Sequence, residues 1–307
     1  MKLHILLATY NSAEFLQEQL DSILNQDYQD FSILIRDGGS TDSTLALIDR
    51  YCRKYPEKLH FLCSCRASAL ENFSLLLQES DADIIMFSDH DDIWKQDKIS
   101  KTLQAYLELE KRYSTDTPLL VFTDSEVVNS RAQLISPSMV KFQNLDPCDH
   151  KLNHLIVQNT ISGNTMLLNK ALQRLIQPIP STAVMHDHWI TLTAAALGKI
   201  AFLDEATLLY RQHANNIYGA ERYSLPVMLR KLLRGRTKLR KRFEQNIIQA
   251  AAFGERYAKY LSENDAEMLR ALKDWQNVGF FRQRYLLWKY QIKKSGILRN
   301  IGMFLFC

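Results

Sequence analysis

The chain has 307 residues, 46% of them hydrophobic and 23% charged, which is enough apolar sequence to bury a large core in one or two domains. The few glycines and prolines and the lack of an evident repeat exclude a fibrous or low-complexity protein. Five cysteines, an odd number without zinc-ligand spacing, predict reduced thiols in a cytoplasmic protein. The N-terminal apolar run is too short for a signal peptide, and no run of about 18 apolar residues predicts a transmembrane helix.

Charge is divided unevenly along the chain. Residues 1–222 carry 20 basic and 28 acidic side chains, a net charge of −8, whereas residues 223–307 carry 18 basic and 6 acidic side chains, a net charge of +12. This difference indicates two regions with different surroundings. We therefore predict one domain over residues 1–220 and a basic, amphipathic helical region over residues 221–307.

Apolar runs of strand length alternate with helical patterns near the N-terminus. Residues 3–8 form a buried-strand pattern, followed by Thr9-Tyr10-Asn11 and a helical pattern. Residues 31–35 form a second strand pattern, followed by Asp37–Asp42 and another helical pattern. Successive strand–loop–helix units predict an α/β fold, with a mostly parallel, Rossmann-like central sheet and flanking helices.

A cluster of carboxylates follows the third clear strand pattern, Ile84–Phe87. Asp89, Asp91 and Asp92 come at its carboxyl end, where sheets of this kind bind ligands, so they predict a functional site. Carboxylates this close repel one another, and Mg²⁺ or Mn²⁺, which prefer oxygen ligands, would neutralise them and also bridge phosphate oxygens. The alternative is an acidic helix start with Asp91 or Asp92 as the N-cap residue.

Later motifs add further candidates. Asp187, in His186-Asp187-His188-Trp189, is either an N-cap residue or a carboxylate whose basicity is raised by the flanking imidazole and indole groups. His213 ends a strand pattern, and a lone histidine is more often structural than a ligand. Gly163 suits either a close backbone approach to a ligand or an ordinary turn. Residues 130–150 are predicted as a long loop, which is typical of a lid or a substrate-contacting segment.

Taken in this order, the motifs resemble those of the family 2 glycosyltransferases, which have the GT-A fold, over about residues 1–215. The motifs at residues 89–94 and 210–213 together are most similar to those of the bacterial rhamnosyltransferase-type branch, which uses dTDP-L-rhamnose to build cell-surface rhamnose polysaccharides. Gly38 departs from the pattern, because the family often has a second aspartate there. The motifs that carry the resemblance are Thr9-Tyr10-Asn11, Asp37-Gly38-Gly39-Ser40-Thr41-Asp42, Asp89-His90-Asp91-Asp92-Ile93-Trp94, His186-Asp187-His188-Trp189 and Tyr210-Arg211-Gln212-His213.

The resemblance implies a nucleotide-sugar site at the ends of the first strands. Asp37 would accept a hydrogen bond from the imino N–H of a pyrimidine base. Tyr10 would lie near the base or the ribose, with Thr9 and Asn11 in the same donor site. Asp89 would face the ribose and the outer shell of the metal.

The resemblance also implies how the sugar is transferred. Asp91 would bind Mg²⁺ or Mn²⁺ directly, and His213 would contribute to the metal–diphosphate site. Arg211 would share in neutralising the diphosphate, unless its role is structural. Asp187 would be the general base that deprotonates an acceptor hydroxyl in a single inverting displacement, so that dTDP-β-L-rhamnose gives an α-L-rhamnoside on a lipid-linked acceptor.

Other functions remain open from sequence. A transferase for a different nucleotide sugar, such as a UDP-sugar, would share these motifs, and so would a non-catalytic glycan-assembly subunit that keeps the fold. A nucleotidyltransferase is disfavoured, because Thr9-Tyr10-Asn11 is not a glycine-rich phosphate loop.

The C-terminal region has its own pattern. Nine Lys or Arg and no acid lie in residues 222–242, and aromatic residues alternate with bases in residues 280–290. This pattern predicts peripheral binding to the anionic inner face of the cell membrane. The alternative is a helical appendage that packs on the first domain or forms a homodimer. Nucleic acid is not expected as a partner, because no nucleic-acid-binding motif is present.

Overall fold

The structure is a computed structural model that describes residues 1–213, 216, 219–227 and 235–306. The basic run predicted at 222–242 therefore lies partly outside the described residues. The strands are β1 (Leu3–Thr9), β2 (Ser32–Asp37), β3 (Leu59–Ser64), β4 (Ile84–Ser88), β5 (Ile93–Trp94), β6 (Leu119–Asn129), β7 (Leu134–Ser136), β8 (Met166–Asn169) and β9 (Lys199–Gln212). The helices are α1 (Leu16–Leu24), α2 (Thr44–Lys54), α3 (Ala69–Glu79), α4 (Lys98–Tyr113), α5 (Met139–Gln143), α6 (Leu152–Leu155), α7 (Lys170–Ile176), α8 (His186–Leu197), α9 (Arg236–Arg256), α10 (Glu263–Lys273), α11 (Phe280–Lys289) and α12 (Ile297–Phe306), with a 3₁₀ turn at Gly163–Thr165.

Within the described residues the nine strands form one sheet in the order β3-β2-β1-β4-β8-β6-β9-β5, with β7 paired to β6. The first four strands are parallel to one another, and β6 is parallel to β9, while β8 runs antiparallel between β4 and β6. Thr9 pairs with Asp37, and Leu7 pairs with Ser88, so the carboxyl ends of β1, β2 and β4 meet at one edge. The predicted α/β fold with a mostly parallel centre is confirmed.

The structure differs from the sequence-based expectations in two places. The alternative of a helix start with Asp91 or Asp92 as the N-cap is wrong, because β5 follows the carboxylates and α4 begins only at Lys98, with Asp97 as its N-cap. The predicted loop over residues 130–150 contains β7 and α5. The start of α5 is held by Asp124, whose carboxylate accepts hydrogen bonds from the Met139 and Val140 N–H groups at 3.1 and 3.2 Å. The strand pattern before His213 belongs to β9, a strand of 14 residues that runs beside β6.

Apolar side chains fill both faces of the sheet. On one face, residues of β1, β2 and β4 pack with α1, α2 and α4. On the other face, one continuous cluster joins sheet residues such as Phe87 and Phe122 to Trp189 of α8 and to Phe253 of α9. Side chains of α10, α11 and α12 belong to the same cluster.

The C-terminal helices thus share a core with the sheet, although a domain boundary near residue 220 stays a prediction. None of the helices in the described ranges has the length and apolar content needed to cross a bilayer.

Candidate active site

The loop after β2 is built around Asp37, whose side chain is fully buried. One carboxylate oxygen accepts hydrogen bonds from Thr9 Oγ1 at 2.9 Å and Ser40 Oγ at 2.5 Å. The other accepts from the Gly39 and Ser40 N–H groups at 2.9 and 2.7 Å, and from Ser64 Oγ at 2.7 Å. Burial alone would raise the pKa of Asp37, but the hydrogen bonds from Ser40, Ser64 and Thr9 outweigh it and hold that pKa below its usual value.

These five donors bear on the prediction that Asp37 contacts a pyrimidine base. Both oxygens are already in use, and the side chain has no exposed surface, so a base would reach it only by displacing a protein donor. In this arrangement Asp37 shapes the loop. The Gly39 backbone, with a φ of +86°, turns over the carboxylate in the left-handed region that glycine favours.

The segment after β1 lies beside this loop. Thr9 is buried against Asp37, whereas the ring of Tyr10 is 56% exposed and free to contact a ligand face. Asn11 adopts a φ of +44°, and its side-chain oxygen accepts a hydrogen bond from the Thr41 N–H at 2.9 Å. The predicted donor-site residues of the first two strands are therefore neighbours, and Tyr10 is the one that presents an open apolar surface.

The loop after β4 joins Asp91 to His213, which is 122 residues further along the chain. Asp91 Oδ2 lies 2.7 Å from His213 Nε2 and accepts a hydrogen bond from Asn216 Nδ2 at 3.2 Å. The imidazole of His213 stacks on the ring of Phe15, with centroids 4.8 Å apart, and its backbone N–H donates to Asn216 Oδ1 at 2.6 Å. The pair expected from sequence is brought together, and Asn216 and Phe15, which the motifs did not indicate, hold it.

Asp89 and Asp92 flank that pair and are poorly neutralised. Burial and the carboxylates of Asp92, Asp91 and Asp187 raise the pKa of Asp89 well above its usual range. Asp92 is fully buried, and burial together with Asp91 raises its pKa to about 7, even though the Asn164 amide, the Arg211 N–H and the charge of Lys98 all act to lower it. A neighbouring cation would relieve this crowding.

The guanidinium of Arg211 is buried, and protein groups supply its hydrogen-bond partners. Its Nε donates to the Asp91 carbonyl at 2.9 Å, one terminal nitrogen donates to the Ser130 carbonyl at 2.8 Å, and the other pairs with Glu18. The guanidinium also lies 4.8 Å from the centre of the Phe15 ring. Of the two predicted roles, the arrangement favours the structural one, because these contacts fix the backbone of the acidic loop.

Asp187 lies in the first turn of α8, but it is not the N-cap residue, which is Met185. Its Oδ1 accepts a hydrogen bond from the His188 N–H at 2.6 Å. Burial raises the pKa of Asp187 to about 6, against the lowering effect of the hydrogen bonds from His188 and Gly163 and of the Arg242 charge. A carboxylate of this kind is ionised at neutral pH and is more basic than an ordinary aspartate.

Gly163 owes its place to close packing beneath Asp187. A Cβ atom on this residue would come within 2.7 Å of His186 Nε2 and 3.5 Å of Asp187 Cβ. The His186 ring is in turn stacked on Phe73, with centroids 3.9 Å apart. Gly163 begins the 3₁₀ turn at Gly163–Thr165, so the expectation of an ordinary turn is confirmed, and the groups close to its backbone are protein side chains.

A cavity of about 980 Å³ connects these groups. Asp89, Asp91 and Asp187 line one side of it, and Lys238, Lys241 and Arg242 of α9 line another. Among the predicted site residues that the structure describes, six are not part of its lining: Thr9, Tyr10, Asn11, Asp37, Arg211 and His213.

The residues fit a divalent cation that is bound jointly with a phosphate ligand. Within the described ranges, no three His, Cys, Asp or Glu side chains are grouped so as to hold a metal ion alone. Mg²⁺ is commonly held by one or two protein ligands, with water and substrate phosphate completing its shell. Asp91 supplies one carboxylate and His213 an imidazole, a ligand type that suits transition metals, beside Asp89, whose pKa is raised by burial and by the neighbouring carboxylates.

An acidic loop at the carboxyl edge of this sheet thus faces the buried carboxylate of Asp187 across one cavity. The sequence matches the model for glycosyl transferase family 2 over residues 4–173, and the chain belongs to this family. It is 30% identical over 222 residues to the dTDP-rhamnosyl transferase RfbG of Shigella flexneri, a match that covers 70% of this chain and 74% of that protein.

Two solved structures have a similar fold at low sequence identity. One is Staphylococcus aureus TarS 1-349 in complex with UDP-GlcNAc, with a TM-score of 0.55, 15% identity and coverage of 94% of this chain and 80% of that one. The other is the mannosyltransferase PcManGT of Pyrobaculum calidifontis in complex with GDP-Man and Mn²⁺, with a TM-score of 0.51, 16% identity and coverage of 94% and 72%. The predicted GT-A fold is confirmed.

Proposed function

We propose that the protein is an inverting, metal-dependent glycosyltransferase that moves L-rhamnose from dTDP-β-L-rhamnose to a hydroxyl of a lipid-linked polysaccharide precursor. The observation that carries the proposal is that Asp91, which is paired with His213, and the basic carboxylate of Asp187 line one cavity in a family 2 chain. The choice of sugar is supported by the 30% identity to a dTDP-rhamnosyl transferase.

On the donor side, Asp91 and His213 would hold Mg²⁺ or Mn²⁺, which when bound supplies Lewis-acid stabilisation of the leaving diphosphate. The chain's own residues fix the position of this pair. Phe15 and Asn216 orient His213, and Arg211 fixes the backbone of Asp91. The exposed ring of Tyr10 offers a flat surface for the base or the ribose.

On the acceptor side, Asp187 removes the proton of the attacking hydroxyl. As the acceptor oxygen bonds to the anomeric carbon, the bond from that carbon to the diphosphate oxygen breaks, and the hydroxyl proton passes to the Asp187 carboxylate. One displacement of this kind inverts the anomeric centre, so a β-linked donor gives an α-linked product. A base with a pKa of about 6 is matched to a reaction at neutral pH.

Activity assays test this function directly. With Mn²⁺ present, dTDP-L-rhamnose should be hydrolysed or transferred in preference to UDP- and GDP-sugars, and chelation of the metal should stop turnover. The turnover number should be nearly constant above pH 7 and fall about tenfold for each pH unit well below 6, because the protonated form of Asp187 is not a base.

Replacing the base gives the sharper result. Asp187→Asn should reduce transfer by about 10²–10⁴-fold while leaving donor binding by calorimetry unchanged. Transfer that is unimpaired in this variant would remove the base assignment. A preference for UDP-sugars would change the donor, and donor binding without any turnover would indicate a non-catalytic assembly subunit.

The C-terminal helices are proposed to hold the enzyme on the cytoplasmic face of the membrane, where a lipid-linked acceptor would lie. Phe281 and Trp288 of α11 and Ile297 of α12 are 86%, 74% and 77% exposed, although these helices otherwise pack on the core. Bases such as Arg282 and Lys289 accompany them, and each base near an anionic surface contributes about 1 kcal/mol.

Vesicle sedimentation tests the membrane proposal. The protein should sediment with vesicles that contain phosphatidylglycerol and remain in solution with pure phosphatidylcholine. The double variant Phe281→Ala, Trp288→Ala should lose binding, whereas Leu134→Ala, which also removes an exposed apolar side chain, should not. If vesicles never bind the protein and the double variant instead splits a dimer in analytical ultracentrifugation, this surface is a subunit interface.

A further inference from the structure

We infer that Gln249 of helix α9 is a positioning residue for Asp187, which makes the C-terminal helices part of the catalytic machinery. The inference rests on the proposed function, in which Asp187 is the base. Gln249 lies 62 positions beyond Asp187, in the region whose basic character suggested a surface role, yet its side chain is completely buried.

The Gln249 amide contacts the chain on both sides of Asp187. Its Oε1 accepts a hydrogen bond from the Val184 N–H at 2.8 Å, and its Nε2 lies 3.0 Å from Nδ1 of the His188 ring. The Val184 N–H is a donor, so the amide oxygen must face it and the amide nitrogen must face His188. One side chain therefore fixes the backbone before the base and the ring after it.

These contacts also fix the tautomer of His188. Its Nε2 lies 2.7 Å from the Leu155 carbonyl, which can only accept, so Nε2 carries the proton. Nδ1 is then left as the acceptor for Gln249, and the ring is neutral. The backbone N–H of His188 donates to Asp187 Oδ1 at 2.6 Å. The residue whose ring contacts Gln249 is therefore also the residue that holds the Asp187 carboxylate in place.

The buried face of α9 is otherwise mostly apolar, which makes this polar contact distinctive. Phe243, Ile247, Ala250 and Phe253 pack in the core shared with the sheet. Asn246, one turn before Gln249, is also buried and donates to the Val157 carbonyl at 3.0 Å. A helix that only covered the sheet would not need two buried amides, each of which costs free energy unless it is hydrogen-bonded.

The charged and titratable groups around Asp187 set what a change at Gln249 will do. Asp89, at the end of β4, faces it with a like charge, and Arg242 of α9 faces it with an opposite charge. His186, next to it on α8, has a pKa lowered by burial to about 3 and stays neutral. His188 is kept neutral as well, because burial lowers its pKa to about 4.

Two substitutions test the role. Gln249→Met keeps the volume and removes both hydrogen bonds, so the turnover number should fall by about 10²-fold while the affinity for dTDP-L-rhamnose changes less than about twofold. Gln173→Met on α7 is the matched control. Gln173 is also buried and donates two hydrogen bonds, to the Leu77 and Ser80 carbonyls, so it should lose similar stability and keep its turnover number.

Gln249→Glu tests whether residue 249 controls the protonation of His188. Its carboxylate still accepts from Val184 but now faces His188 Nδ1, and the ring should take up a proton there. Histidine NMR should show a doubly protonated His188 near neutral pH, and the acid limb of the turnover profile should move to lower pH, because a cation beside Asp187 favours its ionised form.

The inference is overturned if Gln249→Met turns over at the wild-type rate, if it and Gln173→Met lose activity equally, or if Gln249→Glu leaves the acid limb in place. Should Gln249→Met not fold, the glutamate variant decides. Failure of the proposed function would look different, since Asp187→Asn would then be fully active while the NMR signal of His188 would still report on Gln249.

Discussion

The loops after β2 and β4 lie at the same edge of the sheet and both contain aspartates. Their carboxylates differ in how far the protein stabilises the negative charge. Asp37 receives five hydrogen bonds and has a lowered pKa, so its charge is fully stabilised by the protein. Asp89 lies among other carboxylates and has a raised pKa. The difference indicates that a carboxylate satisfied by its own loop serves the fold, while carboxylates that repel one another are kept ready for a cationic ligand.

The largest effect is expected when charge is removed from the loop after β4. Asp91→Asn should lower transfer at least about 10²-fold, because a ligand for the cation at the leaving diphosphate is lost. Stability should be almost unchanged, since the asparagine oxygen still accepts from Asn216 and repulsion with Asp89 is relieved. Steady-state assays with Mn²⁺ and thermal melts measure both quantities.

The control for that variant is Asp97→Asn, which makes the same chemical change a few residues later, at the N-cap of α4, outside the cavity lining. It should be fully active. Normal activity of Asp91→Asn without added divalent ion would show that the metal assignment is wrong.

The first loop should respond in the opposite sense, because the effect falls on folding. Asp37→Ala leaves five donors without their acceptor, and each buried donor left without a partner costs about 1–3 kcal/mol, so we expect the free energy of unfolding to fall by at least about 3 kcal/mol. Ser64→Ala removes one of those donors and should cost about 1 kcal/mol. Urea unfolding measures both.

Nucleotide binding separates the two roles of Asp37. If the residue shapes the loop, affinity for dTDP should fall in Asp37→Ala only together with stability. Unchanged stability with a lost preference for pyrimidine nucleotides would instead support the direct contact with the base that the family resemblance implies.

The sequence predicted the parts of the site that depend on local pattern. The strands that end at Thr9, Asp37 and Ser88 follow from short apolar runs, and their shared edge follows from the strand–loop–helix order. The meeting of Asp91 with His213 could be expected only through the family resemblance, because no periodicity links residues that far apart.

What could not be predicted depends on contacts between distant segments. The burial of Asp37 requires Ser64 from β3, and Arg211 is held by Glu18 from α1. Gln249 gives no signal of its own, since a buried glutamine on a helix rich in Lys and Arg looks like any surface residue. Its partner His188 is 61 positions away, and only the packing of α9 on the sheet shows that they meet.

The place of Gln249 in the chain has a consequence for synthesis. Val184 and His188 leave the ribosome well before the helix that orders them, and at about 5–20 residues per second the delay is several seconds. During that interval one face of the sheet lacks the apolar side chains of α9–α12 that cover it. The nascent chain therefore exposes an apolar surface that chaperones would bind. A growing chain that already contains the motifs up to His213 therefore still lacks Gln249, the residue that contacts the His188 ring.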